Sequence, residues 1–329
     1  MSYVNLGHSG LKISRACLGT MNFGIAHTAP WCDEPQAHRI VGAFLDAGHN
    51  IIDTADVYTA GQSEEVIGRA VAGRRDKVVL ATKARGATGA GPNDSGLSRA
   101  HLTRALEASL KRLGTDYIDL YQMHHWDADT PLEETLRTLD GFVRAGKVRY
   151  VGCSNFRGSQ IVEAQWAAAR VNGVPLVSLQ PRYSLISREI EADVLPTAQR
   201  QGLGTLTYGV LAGGILSGKY RSGERPAGDT RYGGTMGLGG DAHMAAMATR
   251  SLSARNLAIA DAVAKAAAEL GVTPSAVAVA WCLSRRGVTS VIVGPRTAAQ
   301  LTDYLPGFSL ELPMELLRAL SKISAPSSG

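Results

Sequence analysis

Short apolar runs rich in β-branched residues recur along the chain, each followed by a longer stretch with helical periodicity. The runs cover residues 16–19, 50–54, 78–82, 117–121, 148–152, 177–180, 204–208 and 290–294. Strands that alternate with helices of ten or more residues predict parallel βαβ units, and eight such units close into a (β/α)8 TIM barrel. Helix starts and stops carry their own punctuation. Thr130-Pro131-Leu132-Glu133 predicts a capping box with Pro131 in the first helical position, and Thr273-Pro274 repeats that start. Gly48, Gly73, Gly114, Gly146, Gly173 and Gly202 each follow a helical run, where a left-handed residue commonly ends a helix.

Two stretches interrupt the alternation. Residues 1–15 read as a β-hairpin, Tyr3 to Leu6 then Leu11 to Ser14, positioned to plug the bottom of the barrel. Residues 209–249, between the seventh and eighth strands, form a glycine-rich insertion, expected to be a mobile loop over the active face. No change of composition marks a second domain, so residues 1–329 are expected to form one barrel, with a doubly wound sheet as the alternative.

Charge and cysteine content exclude several classes. Lys and Arg total 34 against 29 Asp and Glu, and the basic residues are scattered without a stripe, which argues against a nucleic-acid partner. The modest positive balance suits an anionic small ligand. Cys17, Cys32, Cys153 and Cys282 lie far apart, suggesting neither a zinc site nor a disulfide framework, and fit reduced thiols in the cytoplasm. No run of about 18 apolar residues is present, so neither a membrane span nor a secretory leader is expected.

Polar residues concentrate at the ends of the predicted strands, where this fold carries its chemistry. They are Asp53 and Tyr58, Lys83, His124, Ser154 with Asn155, Gln180, and Tyr208. Taken singly, Lys83 reads equally as a surface lysine, Asp53 as a turn residue and His124 as a core histidine. Together they make an acid-base cluster, in which Lys83 is expected to lower the pKa of Tyr58 and Asp53 to keep Lys83 charged. His124-His125 invites a metal, but adjacent strand residues face opposite ways, and no third ligand is suggested. Gly213 to Lys219 nearly spells a P-loop, yet Tyr220 stands where a hydroxyl would bind magnesium. Its backbone N–H groups and Lys219 remain candidates for embracing a pyrophosphate.

Six ordered motifs resemble signatures of the aldo-keto reductase family: Asp53 to Tyr58, Thr82-Lys83, Asp119 to His124, Gly146 to Phe156, Leu211 to Lys219, and Gly294 to Leu301. The resemblance implies a (β/α)8 barrel that binds NADPH across its open face and reduces an aldehyde or ketone without a metal. It implies Tyr58 as general acid, Lys83 and Asp53 as its tuning pair, and His124 as the residue that orients the carbonyl. Ser154, Asn155 and Gln180 would hold the nicotinamide carboxamide, Tyr208 would stack on its ring, and Gly19, Thr20 and Met21 would touch the ribose and nicotinamide edge. Gly209, Val210, Leu211, Gly213, Leu216, Ser217 and Lys219 would cradle the pyrophosphate. Gly294, Arg296 and Gln300 would meet the adenosine 2′-phosphate. Val210 departs from a proline common in the family, and Asp303-Tyr304 replaces a Glu-Asn pair at the adenine. Phe23, Trp31, His125 and Trp126 are expected to wall the substrate pocket together with the insertion around Gly223 to Gly240. Potassium-channel β subunits resemble the same motif set, so an NADPH-binding regulatory subunit is the alternative. The short stretch before Tyr3 leaves no room for a channel-inactivating segment, which weighs against it. No pattern in the sequence indicates an oligomeric state.

Overall fold

The computed structural model describes residues 3–24, 32–234 and 237–326. The predicted pocket residue Trp31 lies outside the described residues. Eight parallel strands close in the order β10-β3-β4-β5-β6-β7-β8-β9. They are β3 (Ala16–Gly19), β4 (Ile51–Asp53), β5 (Val79–Ala84), β6 (Ile118–Met123), β7 (Val148–Ser154), β8 (Leu176–Gln180), β9 (Gly204–Thr207) and β10 (Ser290–Val293). Every predicted run therefore contributes a barrel strand. Helices outside the barrel cover the strands, so most strand residues are buried on both faces.

The hairpin pairs β1 (Tyr3–Asn5) with β2 (Lys12–Ser14) in antiparallel register. Its Leu6 and Ile13 are fully buried against Cys17, Ile51, Leu120 and Leu206. The His8 amide donates to the Gly202 carbonyl at 2.8 Å, which holds the hairpin where β9 begins. Gly7 has φ +58°, and a Cβ there would lie 2.4 Å from the Gly202 oxygen, so a side chain would lift the plug.

Capping follows the expected chemistry at α9 (Pro274–Leu283), where Thr273 accepts from the Ala276 amide with proline in the first turn. It departs at α4 (Leu132–Arg144), where Pro131 itself is the cap residue. The Thr130 hydroxyl instead donates to Asp127 Oδ2 at 2.7 Å, one residue ahead of the cap. After α5 (Gly158–Arg170) the left-handed position falls on Asn172, at φ +50°, and not on Gly173. The long insertion is more ordered than a loop: it contains a 3-10 turn at Ala212–Ser217 and a helix, α7 (Ala242–Ser251), capped by Asp241, which accepts from the Met244 amide. Among the described residues no single helix is long and apolar enough to cross a membrane.

Candidate active site

Strand register brings the chemistry together. Asp53 ends β4, Lys83 lies one residue before the end of β5, and Gln122 pairs with Lys83 across β6. Ser154 and Gln180 pair across β7 and β8. The Lys83 side chain is fully buried. Its Nζ donates to Asp53 Oδ2 at 2.6 Å, to the Thr54 carbonyl at 2.8 Å and to the Tyr58 hydroxyl at 3.1 Å. Asp53 Oδ1 accepts from Gln180 Nε2 at 2.7 Å and Gln122 Nε2 at 3.1 Å. Two buried charges are costly unless paired and saturated with hydrogen bonds, and this network supplies both conditions.

Tyr58 is held by an unusual turn. Thr59, Ala60 and Gly61 follow it at φ +49°, +54° and +92°, a left-handed run that costs energy at the two non-glycine residues. Side-chain bonds fix the turn on both sides. Thr59 Oγ1 donates to the Phe23 carbonyl at 2.9 Å. Ser63, in the first turn of α2 (Gln62–Ala70), joins Thr20 and Thr54 through hydroxyl contacts of 2.8 and 2.9 Å. The Tyr58 ring then meets the His124 ring edge-on, with centroids 5.8 Å apart.

Burial sets the protonation states. Desolvation raises the Tyr58 pKa, and the Asp53 carboxylate adds to it, while Lys83 pulls the other way without reversing the sign. The expectation of a lowered tyrosine pKa is thereby corrected: the sequence names the lysine but not the depth of burial. Burial likewise opposes the Lys83 charge, yet Asp53 and the neighbouring phenol outweigh it and raise its pKa. His124 is pushed down to about 3, first by burial and then by the charges of Lys83, His125 and Arg85. His125 is lowered by burial and by Arg85. The two rings stack at 5.2 Å and 18°, on one side of the chain, because both lie beyond the last residue of β6 where strand alternation no longer applies. No group of three or more metal-ligating side chains is found among the described residues.

A cavity of about 600 Å³ opens over this cluster. Tyr58, His124, His125 and Asp53 line its floor, with Ser154, Asn155, Gln180 and Tyr208 beside them. The Tyr208 hydroxyl donates to Asn155 Oδ1 at 2.8 Å, and Ser154 Oγ donates to the Gln180 carbonyl at 2.8 Å. Gly19, Thr20 and Met21 line the edge by β3, and Gly209, Val210, Leu211 and Gly213 the edge after β9. Lys219, Gly294, Arg296, Gln300 and Tyr304 extend the cavity past β10.

Five candidates fall elsewhere. Phe23 is buried in the core, and Trp126 packs edge-on against Phe156 with centroids 5.2 Å apart, so neither walls the cavity. Leu216 is fully buried in a core cluster, and Ser217 donates to the Gly214 carbonyl at 2.7 Å. Asp303 lies off the cavity, its carbonyl accepting from Thr273 Oγ1 at 2.7 Å. Apolar packing holds Phe23, Trp126 and Leu216, and a backbone carbonyl holds Ser217. Sequence reasoning missed Gln122, although a lone amide within an apolar strand was a usable signal. Thr230, Arg231 and Tyr232 line the cavity from the insertion expected to wall it, whereas Arg182, Met247 and Ser251 were missed, since no spacing rule exists for them.

The far end of the cavity suits a phosphorylated group. Gly213 and Gly214 sit at φ +68° and +95°, and Cβ atoms there would come within 2.5 Å of the Tyr232 hydroxyl and 2.7 Å of Lys219 Cε. Both glycines therefore leave backbone room that any side chain would fill. Burial depresses the Lys219 pKa, and Arg296 nearby depresses it further. Two neighbouring cations facing one cavity fit an anionic ligand that offsets their repulsion.

Comparison with known proteins agrees with this geometry. Residues 15–325 match the model of the aldo/keto reductase family. An uncharacterized oxidoreductase of Bacillus subtilis, YrpG, is 40% identical over 98% of this chain and 96% of its own length. A probable voltage-gated potassium channel subunit beta of Oryza sativa is 37% identical, covering 99% and 96%. Versiconal hemiacetal acetate reductase of Aspergillus parasiticus is 30% identical, covering 100% and 98%. The chain belongs to the aldo/keto reductase family.

Proposed function

We propose that the protein is an NADPH-dependent oxidoreductase that reduces an aldehyde or ketone to an alcohol, with Tyr58 as general acid. The observation that carries this reading is the buried chain Asp53, Lys83, Tyr58, which ends with its hydroxyl in the cavity beside His124. When bound, the nicotinamide supplies a hydride from its C4 atom. Every other part of the chemistry falls to the chain. A raised pKa keeps the Tyr58 phenol protonated at neutral pH, as a proton donor requires. As the carbonyl oxygen gains negative charge, Tyr58 gives it the proton, and the phenolate that remains is stabilised by Lys83 at 3.1 Å. Asp53 holds Lys83 charged and in place, and Gln122 and Gln180 hold Asp53. His124 stays neutral and is suited to orient the carbonyl by donating a ring N–H.

Ser154, Asn155 and Gln180 are suited to the carboxamide, Tyr208 to the ring face, and Gly213, Lys219, Arg296 and Gln300 to the phosphates. Residues 1–329 act in this reading as one domain on a small-molecule carbonyl substrate, and four free buried cysteines suit a cytoplasmic setting. Similarity to the rice channel subunit supports a second reading, an NADPH-binding regulatory subunit with little turnover. A screen of NADPH oxidation against sugars, aromatic aldehydes and dicarbonyls tests both. Turnover with at least one class supports the reductase. Tight NADPH binding with no turnover across the screen supports the regulator, and failure to bind either nicotinamide cofactor overturns both.

A further inference from the structure

Arg182 lies just past β8 and is locked beside Tyr208. The two pair as an isolated parallel bridge, with the Tyr208 amide donating to the Pro181 carbonyl and the Tyr183 amide to the Tyr208 carbonyl, each at 3.0 Å. The stem of Arg182 crosses Gly209, where a Cβ would lie 3.5 Å from Arg182 Cγ. Its side chain lines the cavity and is exposed there. Among the described residues its guanidinium makes no hydrogen bond and no ion pair.

The charge balance around it is one-sided. Burial raises the Tyr208 pKa, while Arg182 and Lys83 both oppose that rise, so Arg182 stands at the Lys83 end of the cavity. Asp53 is the one acidic residue among the described residues lining the cavity, and Lys83 already neutralises it. Arg85 adds a second positive charge near His124 and His125. It sits at φ +151°, a region that glycine adopts without strain, and its Nε is buried with no hydrogen-bond partner among the described residues. Lys219 and Arg296 form a separate cationic pair near Asp229, so the positive charge by Tyr208 is not needed there.

We infer that Arg182 is a specificity residue, which receives an anionic group of the substrate, a carboxylate or a phosphate, at the chemical end of the cavity. The inference rests on the reductase reading for the carbonyl half of the substrate but not for the anion site itself. A planar guanidinium binds either anion through two parallel N–H donors, and Arg182 has its donors unspent.

The test uses matched pairs. Wild-type enzyme with NADPH should favour 5-oxopentanoate over its methyl ester, or glyceraldehyde 3-phosphate over glyceraldehyde, by about tenfold in kcat/KM, the low end of what a charged hydrogen bond contributes. The preferred pair says which anion the site takes. Arg182→Gln should erase the preference by raising KM for the charged member alone, and Arg182→Lys should retain part of it. A second readout needs no turnover: calorimetric titration of pentanoate, propyl phosphate and pentanol into wild type and Arg182→Gln, with and without saturating NADPH. Anion binding that disappears in Arg182→Gln supports the site even if no aldehyde is reduced, an outcome that sinks the reductase reading alone. Equal kinetics for charged and neutral members together with no Arg182-dependent anion binding overturns the inference. So does an Arg182→Gln variant that weakens NADPH and both substrates alike, which would give the guanidinium to the cofactor.

Discussion

Replacing Lys83 with methionine separates the two tasks assigned to it. The side chain is fully buried and bonded to Asp53, Thr54 and Tyr58. Methionine fills much of the same volume, so the loss is electrostatic and not a cavity. Asp53 keeps its bonds from Gln180 and Gln122 but loses its countercharge. Breaking a buried pair by removing one partner costs about 3–5 kcal/mol. With an unfolding entropy of about 2.1 cal/mol/K per residue over 329 residues, that cost lowers Tm by roughly 4–7 °C. The double variant Asp53→Asn with Lys83→Met removes both charges and should recover more than half of this loss, since an uncharged amide no longer lacks a countercharge. Lys83 also holds the Tyr58 pKa below where burial and Asp53 would take it. In Lys83→Met the tyrosine-linked limb of the pH profile should therefore move upward or vanish. Differential scanning calorimetry reads the first effect, and kcat/KM against pH reads the second. A melting point unchanged within 1 °C, or a double variant less stable than the single one, would refute the buried-pair reasoning. An unmoved limb would refute the link from Lys83 to Tyr58.

Three further expectations are open to direct measurement. Asp56 is buried, and desolvation followed by the nearby Glu64 charge raises its pKa to about 7, with Arg112 and Lys83 acting in the opposite sense. A raised carboxyl pKa means the folded state binds the proton more tightly, so stability is greatest below the unfolded value near 4 and declines until pH passes about 7. Chemical denaturation from pH 4 to 8 should show this decline, on the order of 2–4 kcal/mol, and Asp56→Asn should flatten it; parallel curves for the two proteins would disprove the assignment. His124, with its pKa near 3, should stay neutral throughout pH 5–9, and an imidazole resonance that titrates in that range by NMR would contradict its burial beside Lys83. Arg296→Ala should weaken NADPH by roughly 10- to 100-fold and leave NADH nearly unchanged; equal weakening of both would remove Arg296 as the selectivity determinant.

How much of this was legible in the sequence depends on the kind of information each feature needs. The strands were legible because burial on both faces demands continuous apolar runs, such as Val78 to Ala81. Asp53, Lys83 and His124 were legible as a group because the fold collects residues from strand ends. Helix α7 was not, since the glycines that precede it, up to Gly240, masked an alanine-rich segment that Asp241 caps. Thr130 and Gly173 misled for a shared reason: in each case the neighbouring residue, Pro131 or Asn172, took the expected position. Phe23 went into the core and Trp126 packs against it, because aromatic burial is decided by packing that no short motif encodes. The direction of the Tyr58 shift needed the depth of burial as well as the identity of its neighbours. Arg182 carries no motif, and only its position on the cavity wall reveals it.

The central claim is that the cavity joins a nicotinamide site to a proton donated by Tyr58, and Tyr58→Phe tests it most directly. The phenyl ring preserves packing against His124 and removes only the hydroxyl that Lys83 contacts. NADPH binding and single-turnover reduction should be measured on the same preparation with the best aldehyde from the screen. The account predicts an NADPH dissociation constant within about twofold of wild type and a hydride-transfer rate lower by about 10²–10⁴-fold, the usual contribution of general acid catalysis. A variant that binds NADPH normally and reduces the aldehyde at close to the wild-type rate would contradict it.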